Sequence, residues 1–314
     1  MSNLIFCLNA TIPVFLLMVL GMIFYKMHIF SDSFVKSMNS FVFKIALPVL
    51  VFKELSTQDF FSMWDSRFVL FCFFATIGSI TIAVLLSFVF KDTSIRGEFA
   101  QSAYRSSAAL LGISFIQNIY GNAGMAPMMI IGSVPLYNIM AVILLAFLKP
   151  EREKMSRKLL THTVIDIFKN PILIGIFIGM LWSVLQIPQP IILQKTVTHI
   201  ANLATPLGLM AMGASFHAGA ALSTLKPALT ATFCKLILWC AILLPLAVHF
   251  GFGDDKLVAI LIMAGSPTTV SCFVMAKNMG HKGAVTSTVV MLTTILSAFT
   301  LTLWLFILKT LGFI

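Results

Sequence analysis

The sequence predicts an all-α integral membrane protein: ten transmembrane helices built as two inverted five-helix repeats, with interrupted fourth and ninth helices. Three observations carry this expectation. Apolar residues make up 59% of the chain and charged residues only 10%, with a mean hydropathy of +1.00, whereas soluble domains carry about 25% charged residues. The apolar residues gather in runs close to the ~20 residues that a bilayer-spanning helix needs, separated by short charged stretches. One constant offset, close to half the chain length, relates the first half of the sequence to the second.

The runs fall near 4–25, 36–55, 67–90, 98–119 and 124–148, and then 170–186, 191–214, 226–250, 256–277 and 284–308. The first lacks a basic leader and a small-residue cleavage site, so it reads as a span rather than a signal peptide. Between the two sets lies the one sizeable hydrophilic stretch, which holds Lys149, Glu151, Arg152, Glu153, Lys154, Arg157, Lys158 and Lys169. The domain reading is therefore a first repeat, 1–148, a basic cytoplasmic linker, 149–169, and an inverted second repeat, 170–314. An offset of 158 pairs Pro13 with Pro171, Gly21 with Gly179, Met22 with Met180 and Ile29 with Ile187, and also Ala46 with Ala204 and Pro48 with Pro206. Five spans is an odd number, so the second repeat must start from the opposite side of the membrane. Inverted repeats of this kind are a common build of secondary transporters.

The formal net charge is +10, but the basic residues sit between apolar runs rather than interleaved with aromatics, which fits membrane orientation and not nucleic-acid binding. Most lysines and arginines outside the spans, among them Lys26, Lys91, Arg96, Lys277, Lys282 and the linker cations, fall on one side. Lys53, Arg67, Lys195, Lys256 and Lys309 fall on the other. The positive-inside rule then puts the linker in the cytoplasm of a plasma (inner) membrane and both termini outside. The five cysteines show neither CxxC nor metal-ligand spacing. All the acidic residues, Glu54 and Glu98 included, read as loop or span-edge groups, which speaks against a carboxylate proton relay and against an intramembrane hydrolase. No enzyme activity, cofactor or metal is expected.

The ninth span contains Gly265-Ser266-Pro267-Thr268-Thr269 and then Ser271. Pro267 lacks a donor and clashes with the carbonyl four residues back, so this span is either interrupted or simply kinked. If it is interrupted, the second half begins near Thr268 with free N–H groups and a partial positive charge. The offset carries this place to the small, hydroxyl-rich part of the fourth span, which includes Arg105, Ser106, Ser107, Gly112 and Ser114. Paired interruptions point to a transport site; small residues also permit close helix packing. Arg105 could attract an anion at the inner mouth or snorkel to the interface, and Lys235 has the same two readings. Lys44, one turn before Pro48, reads as the most deeply placed cation, and His199 as interfacial.

Several of these motifs together resemble the auxin efflux carrier family. Ala46-Leu47-Pro48 in the second span, Arg105 with Gly112 in the fourth, Tyr137-Asn138 in the fifth, Asn170-Pro171 opening the sixth, Pro206 with Gly213 in the seventh and Ser266-Pro267 in the ninth stand where that family has the same residues. Ser107, Ala109, Leu110 and Ser114 depart from its fourth-span pattern. The resemblance implies a ten-helix fold similar to that of the bile acid–sodium symporters, with the fourth and ninth spans crossing at the substrate site and alternating access of the elevator type. It also implies a small carboxylate substrate, as in the bacterial members that carry malonate- or malate-like anions. On this view Ser106, Ser107, Gly112, Ser114, Asn138, Ser266, Pro267, Thr268, Thr269 and Ser271 are the substrate-site candidates, with Arg105 and Lys44 as anion-attracting ones. Uniport and sodium- or proton-coupled symport both stay open, as does a polytopic protein without flux. The expected partners are the bilayer and the substrate, with a homodimer as an option and no nucleic acid.

Overall fold

The computed structural model describes residues 2–57, 64–108, 116, 119–120, 124–149, 165, 169–216 and 223–314, with the backbone alone at 2–11, 14 and 15. Among these residues all regular structure is helical. In chain order the helices are α1 (Ser2–Lys26), α2 (Asp32–Ser56), α3 (Ser66–Ser87), α4 (Arg96–Tyr104), α5 (Ala126–Phe147), α6 (Pro171–Val184) and α7 (Ile191–Ala214). They continue with α8 (Leu225–His249), α9a (Asp254–Gly265), α9b (Ser271–Asn278) and α10 (Ala284–Thr310). Of these, α2, α3, α5, α8 and α10 are long and apolar enough to cross a membrane. The basic linker lies outside the described residues, apart from Lys149, Ile165 and Lys169.

The ends of these helices are legible in local chemistry. Ser31 and Asp65 each accept a hydrogen bond from the backbone N–H three residues on, at 3.2 and 3.1 Å, and so cap α2 and α3. Asn170 caps α6, accepting from Ile172 N–H at 3.0 Å, with Pro171 at the first helical position, where its missing donor costs nothing. The cap of α10 comes from a distant residue. Glu98 of α4 is buried and accepts from the N–H groups of Gly283, Val285 and Thr286 at 2.8, 3.0 and 3.2 Å. A carboxylate on a helix N-terminus meets unpaired donors and a favourable partial charge, so Glu98 clasps α4 to α10. Glu98 is thus an internal structural group rather than the span-edge residue expected from the sequence.

Apolar side chains cover the outside, with Phe74, Phe177, Phe306 and Ile192 each more than 60% exposed. Such a surface is stable against lipid, whose tails are as apolar as the side chains. Inside, small residues set the closest approaches. A β-carbon added at Gly21 of α1 would sit 2.2 Å from the Met210 carbonyl oxygen of α7, and one at Gly179 of α6 would sit 3.0 Å from that of Phe52 of α2. The offset of 158 carries Gly21 to Gly179 and Phe52 to Met210. The same helix contact is therefore made twice, with the two halves of the chain exchanging roles.

Candidate functional site

Two helices stop in the middle of the structure and face each other. At the end of α9a the backbone of Ser266 turns extended, at φ −70° and ψ 157°. The ring of Pro267 disfavours helical geometry in the residue before it, so this break is local in origin. At the end of α4 the backbone of Arg105 turns extended in the same way, at φ −75° and ψ 129°, with no proline in the vicinity. Here the partners come from the ninth span. Ser107 N–H donates to the Pro267 carbonyl at 2.9 Å, and the Ser106 hydroxyl donates to the Met263 carbonyl. In return the Thr268 hydroxyl donates to the Ser102 carbonyl at 2.9 Å. Gln101 Nε2 reaches the Cys272 carbonyl, also at 2.9 Å. Broken backbone at membrane depth survives only when its polar groups are satisfied within the protein; here each break supplies partners for the other.

Beside the breaks lies a cavity of about 50 Å³, lined by α2 (including Leu47 and Glu54), the Arg105–Ala108 segment, Tyr137 and Asn138 of α5, Thr205 of α7, and Thr269, Val270 and Ser271. Arg105 is 3% exposed. Its guanidinium donates to Asn138 Oδ1 and lies against the Met275 sulfur. Asn138 is held in turn by its own donation to the Val134 carbonyl at 3.0 Å. This arrangement gives a small polar space with a fixed guanidinium, hydroxyl donors and apolar walls. It can hold a small anion, since a buried anion is tolerable only where charge or several donors meet it.

Of the residues singled out from sequence, the structure brings Arg105, Ser106, Ser107, Asn138, Thr269 and Ser271 to this cavity. Ser266 and Thr268 are buried in the break but do not line it, and the Thr268 N–H is already donated to Thr293 Oγ1 at 3.0 Å. Pro267 directs its carbonyl to Ser107. Gly112 and Ser114 lie outside the described residues. Two placements need correction. Arg105 is neither at a mouth nor snorkelling but buried at the break. Lys44 is exposed, on a π-helical turn (Val42–Ala46), while among the described residues Lys235 is a fully buried cation. Sequence reasoning missed Glu54, which is half-buried and lines the cavity instead of lying at a span edge. It also passed over Thr205, which the offset of 158 relates to Leu47, another lining residue; repeat arithmetic could have found it.

A family model described as "Membrane transport protein" matches residues 6–305 of the chain. A protein of Rhizobium meliloti (strain 1021), carrying the name "Putative malonate transporter", is 24% identical over 304 residues, covering 87% of this chain and 86% of its own.

Proposed function

This chain belongs to the membrane transport protein family, the auxin efflux carriers, and from that premise we propose that it carries a small organic anion, a mono- or dicarboxylate, by alternating access. The observation that carries the reading is the buried guanidinium of Arg105 at a cavity where two helix breaks meet. A planar guanidinium can hold a carboxylate through two parallel hydrogen bonds, and the Ser107 hydroxyl, with the one free proton of the Thr269–Ser271 hydroxyl pair, can meet the remaining oxygens. The limited volume favours a short acid over a fused aromatic one, and the name of the Rhizobium relative makes malonate the first candidate. Efflux needs no coupled ion, because an anion leaving a negative-inside cell gains about 2.3 kcal/mol per charge per 100 mV.

The twice-made contact of Gly21 with Met210 and of Gly179 with Phe52 supports the ten-helix inverted repeat. Its exchange of halves is what a pseudo-twofold axis in the membrane plane would produce. A wider recess, lined by Lys36, Asn39, Ser215, Lys277, Asn278 and Lys282, runs along the same α2, α7 and α9b towards the side richer in basic residues. It suits the cytoplasmic approach of an anion, with the linker 149–169 on that side and both termini opposite. A cysteine placed at Ser156 would then resist an impermeant thiol reagent in intact cells, and rapid labelling would reverse the orientation.

A second reading has one observation behind it. Glu54 lines the same cavity, so a proton taken up by its carboxylate could travel with the anion and relieve the repulsion between those two negative groups. Proteoliposomes loaded with a panel of radiolabelled mono- and dicarboxylates decide between the two. Flux that follows the membrane potential and ignores a pH gradient supports uniport. Flux that follows the pH gradient and loses this dependence in Glu54→Gln supports the second reading. No flux of any carboxylate refutes both.

A further inference from the structure

Lys235 is 0% exposed, and its position is not explained by the anion cavity, which it does not line. Its ammonium donates instead to the carbonyls of Ala264 and Met263, the latter at 3.5 Å, at the C-terminal end of α9a. One turn further along α8, the Trp239 indole N–H donates to the Ala103 carbonyl at 2.6 Å, at the C-terminal end of α4. A single face of α8 therefore serves the ends of both broken helices. Each of those ends carries unpaired carbonyls and a partial negative charge. The hydroxyls of Ser266, next along from α9a, and of Thr232, one turn before Lys235 on α8, are buried without a hydrogen-bond partner among the described residues. Lys235 sits in a π-helical turn (Cys234–Leu238), and the Trp304 indole N–H takes up the Leu236 carbonyl at 3.1 Å. Such single-turn distortions concentrate at functional positions. The described residues give the ammonium no carboxylate partner.

We propose that Lys235 is a resident cation. Its ammonium holds a place at main-chain carbonyls that would otherwise take a small monovalent ion, and so makes the carrier independent of sodium. Carbonyl oxygens are ligands that a hard cation selects. A charge tethered to α8 neutralises the half-helix ends, but it cannot cross with the substrate and therefore cannot couple to it. The inference rests on the reading of the crossed breaks as the transport site.

The test uses the purified full chain, wild type and Lys235→Ala, in sodium chloride and in chloride of the bulky cation N-methylglucamine. Lys235→Met serves as a second variant that keeps the apolar stem. The readouts are binding of radioactive sodium, melting temperature without any carboxylate, and carboxylate flux in proteoliposomes. Wild type should bind no sodium and give the same melting temperature and flux in both salts. Lys235→Ala in N-methylglucamine should lose more than tenfold in flux and melt several degrees lower. Sodium or ethylammonium should restore part of both, with little restoration in Lys235→Met, whose side chain fills the space. Three results would each overturn the proposal: saturable sodium binding by wild type, wild-type flux and melting of both variants in N-methylglucamine, or a folded, impaired Lys235→Ala that no small cation rescues. If wild type moves no carboxylate, the transport reading falls, while sodium binding and melting still decide the cation site.

Discussion

The two helix breaks have similar backbone geometry but different origins. Ser266 and Arg105 both leave helical geometry for extended geometry. At Ser266 the following proline ring imposes this. At Arg105 nothing in the local sequence does, and the break is held by the bond from Ser107 to the Pro267 carbonyl and by the Ser106 hydroxyl on Met263. One break is encoded and the other is templated on it. In the proposed site the templated side supplies the guanidinium and the encoded side supplies Thr269 and Ser271, so that site forms only when the two breaks are packed together.

This comparison can be tested from its strongest contact to its weakest. Replacing Arg105 with Gln should have the largest effect. Hydrogen bonds to a charged group contribute about 1.5–3 kcal/mol, so substrate affinity should fall roughly 10- to 100-fold. Isothermal titration with malonate reads this directly, and unchanged affinity would move the anion away from the templated break. Pro267→Ala comes next. It restores a donor and lets α9a and α9b join, so expression should hold while flux falls about tenfold. Full activity would mean that the proline is a packing kink and that the templated break survives without its template.

Ser106→Ala and Thr268→Ala sharpen the comparison further, because each removes one hydroxyl that crosses from one break to the other. At about 1 kcal/mol per bond, each should lower the melting temperature by a few degrees, and by similar amounts. A clear inequality would show that one break depends on the other without reciprocity. The smallest effect lies away from the breaks. Lys256 donates to Asp65 at 2.5 Å and holds its carboxyl below the usual value, in a pair about a third exposed. A lowered folded-state pKa adds stability that is complete above the unfolded value of about 3.9 and is lost as pH falls through the folded value. The melting temperature should thus be insensitive to this pair from pH 7 to 5 and decline below about pH 4. Asp65→Asn should remove that part of the decline, worth under about 1 kcal/mol for so exposed a pair.

Much of the architecture was legible in the residues themselves. Apart from the fourth, whose second half lies largely outside the described residues, the expected spans lie within a few residues of the helix bounds, because length and apolarity are local properties. The caps of α2, α3 and α6 follow from Ser31, Asp65 and Asn170 by the same local logic. Pro267 announced its own break. By itself the sequence also determined that the chain is a membrane protein of a transport family, since its composition allows no soluble core and its matching residues run along nearly the whole chain.

Only the tertiary structure decided the fate of the charged side chains. Lys44 and Lys235 occupy similar apolar contexts in sequence, yet Lys44 faces outward and Lys235 is fully enclosed. Glu98 caps a helix almost 190 residues away, and Glu54 enters the cavity. A π-helical turn shifts the phase of every residue after it, and position along a span does not say which face is inside. The cost of a buried charge depends on the partners that meet it, and these come from distant parts of the chain: Asn138 for Arg105, the Met263 and Ala264 carbonyls for Lys235, and the N-terminus of α10 for Glu98.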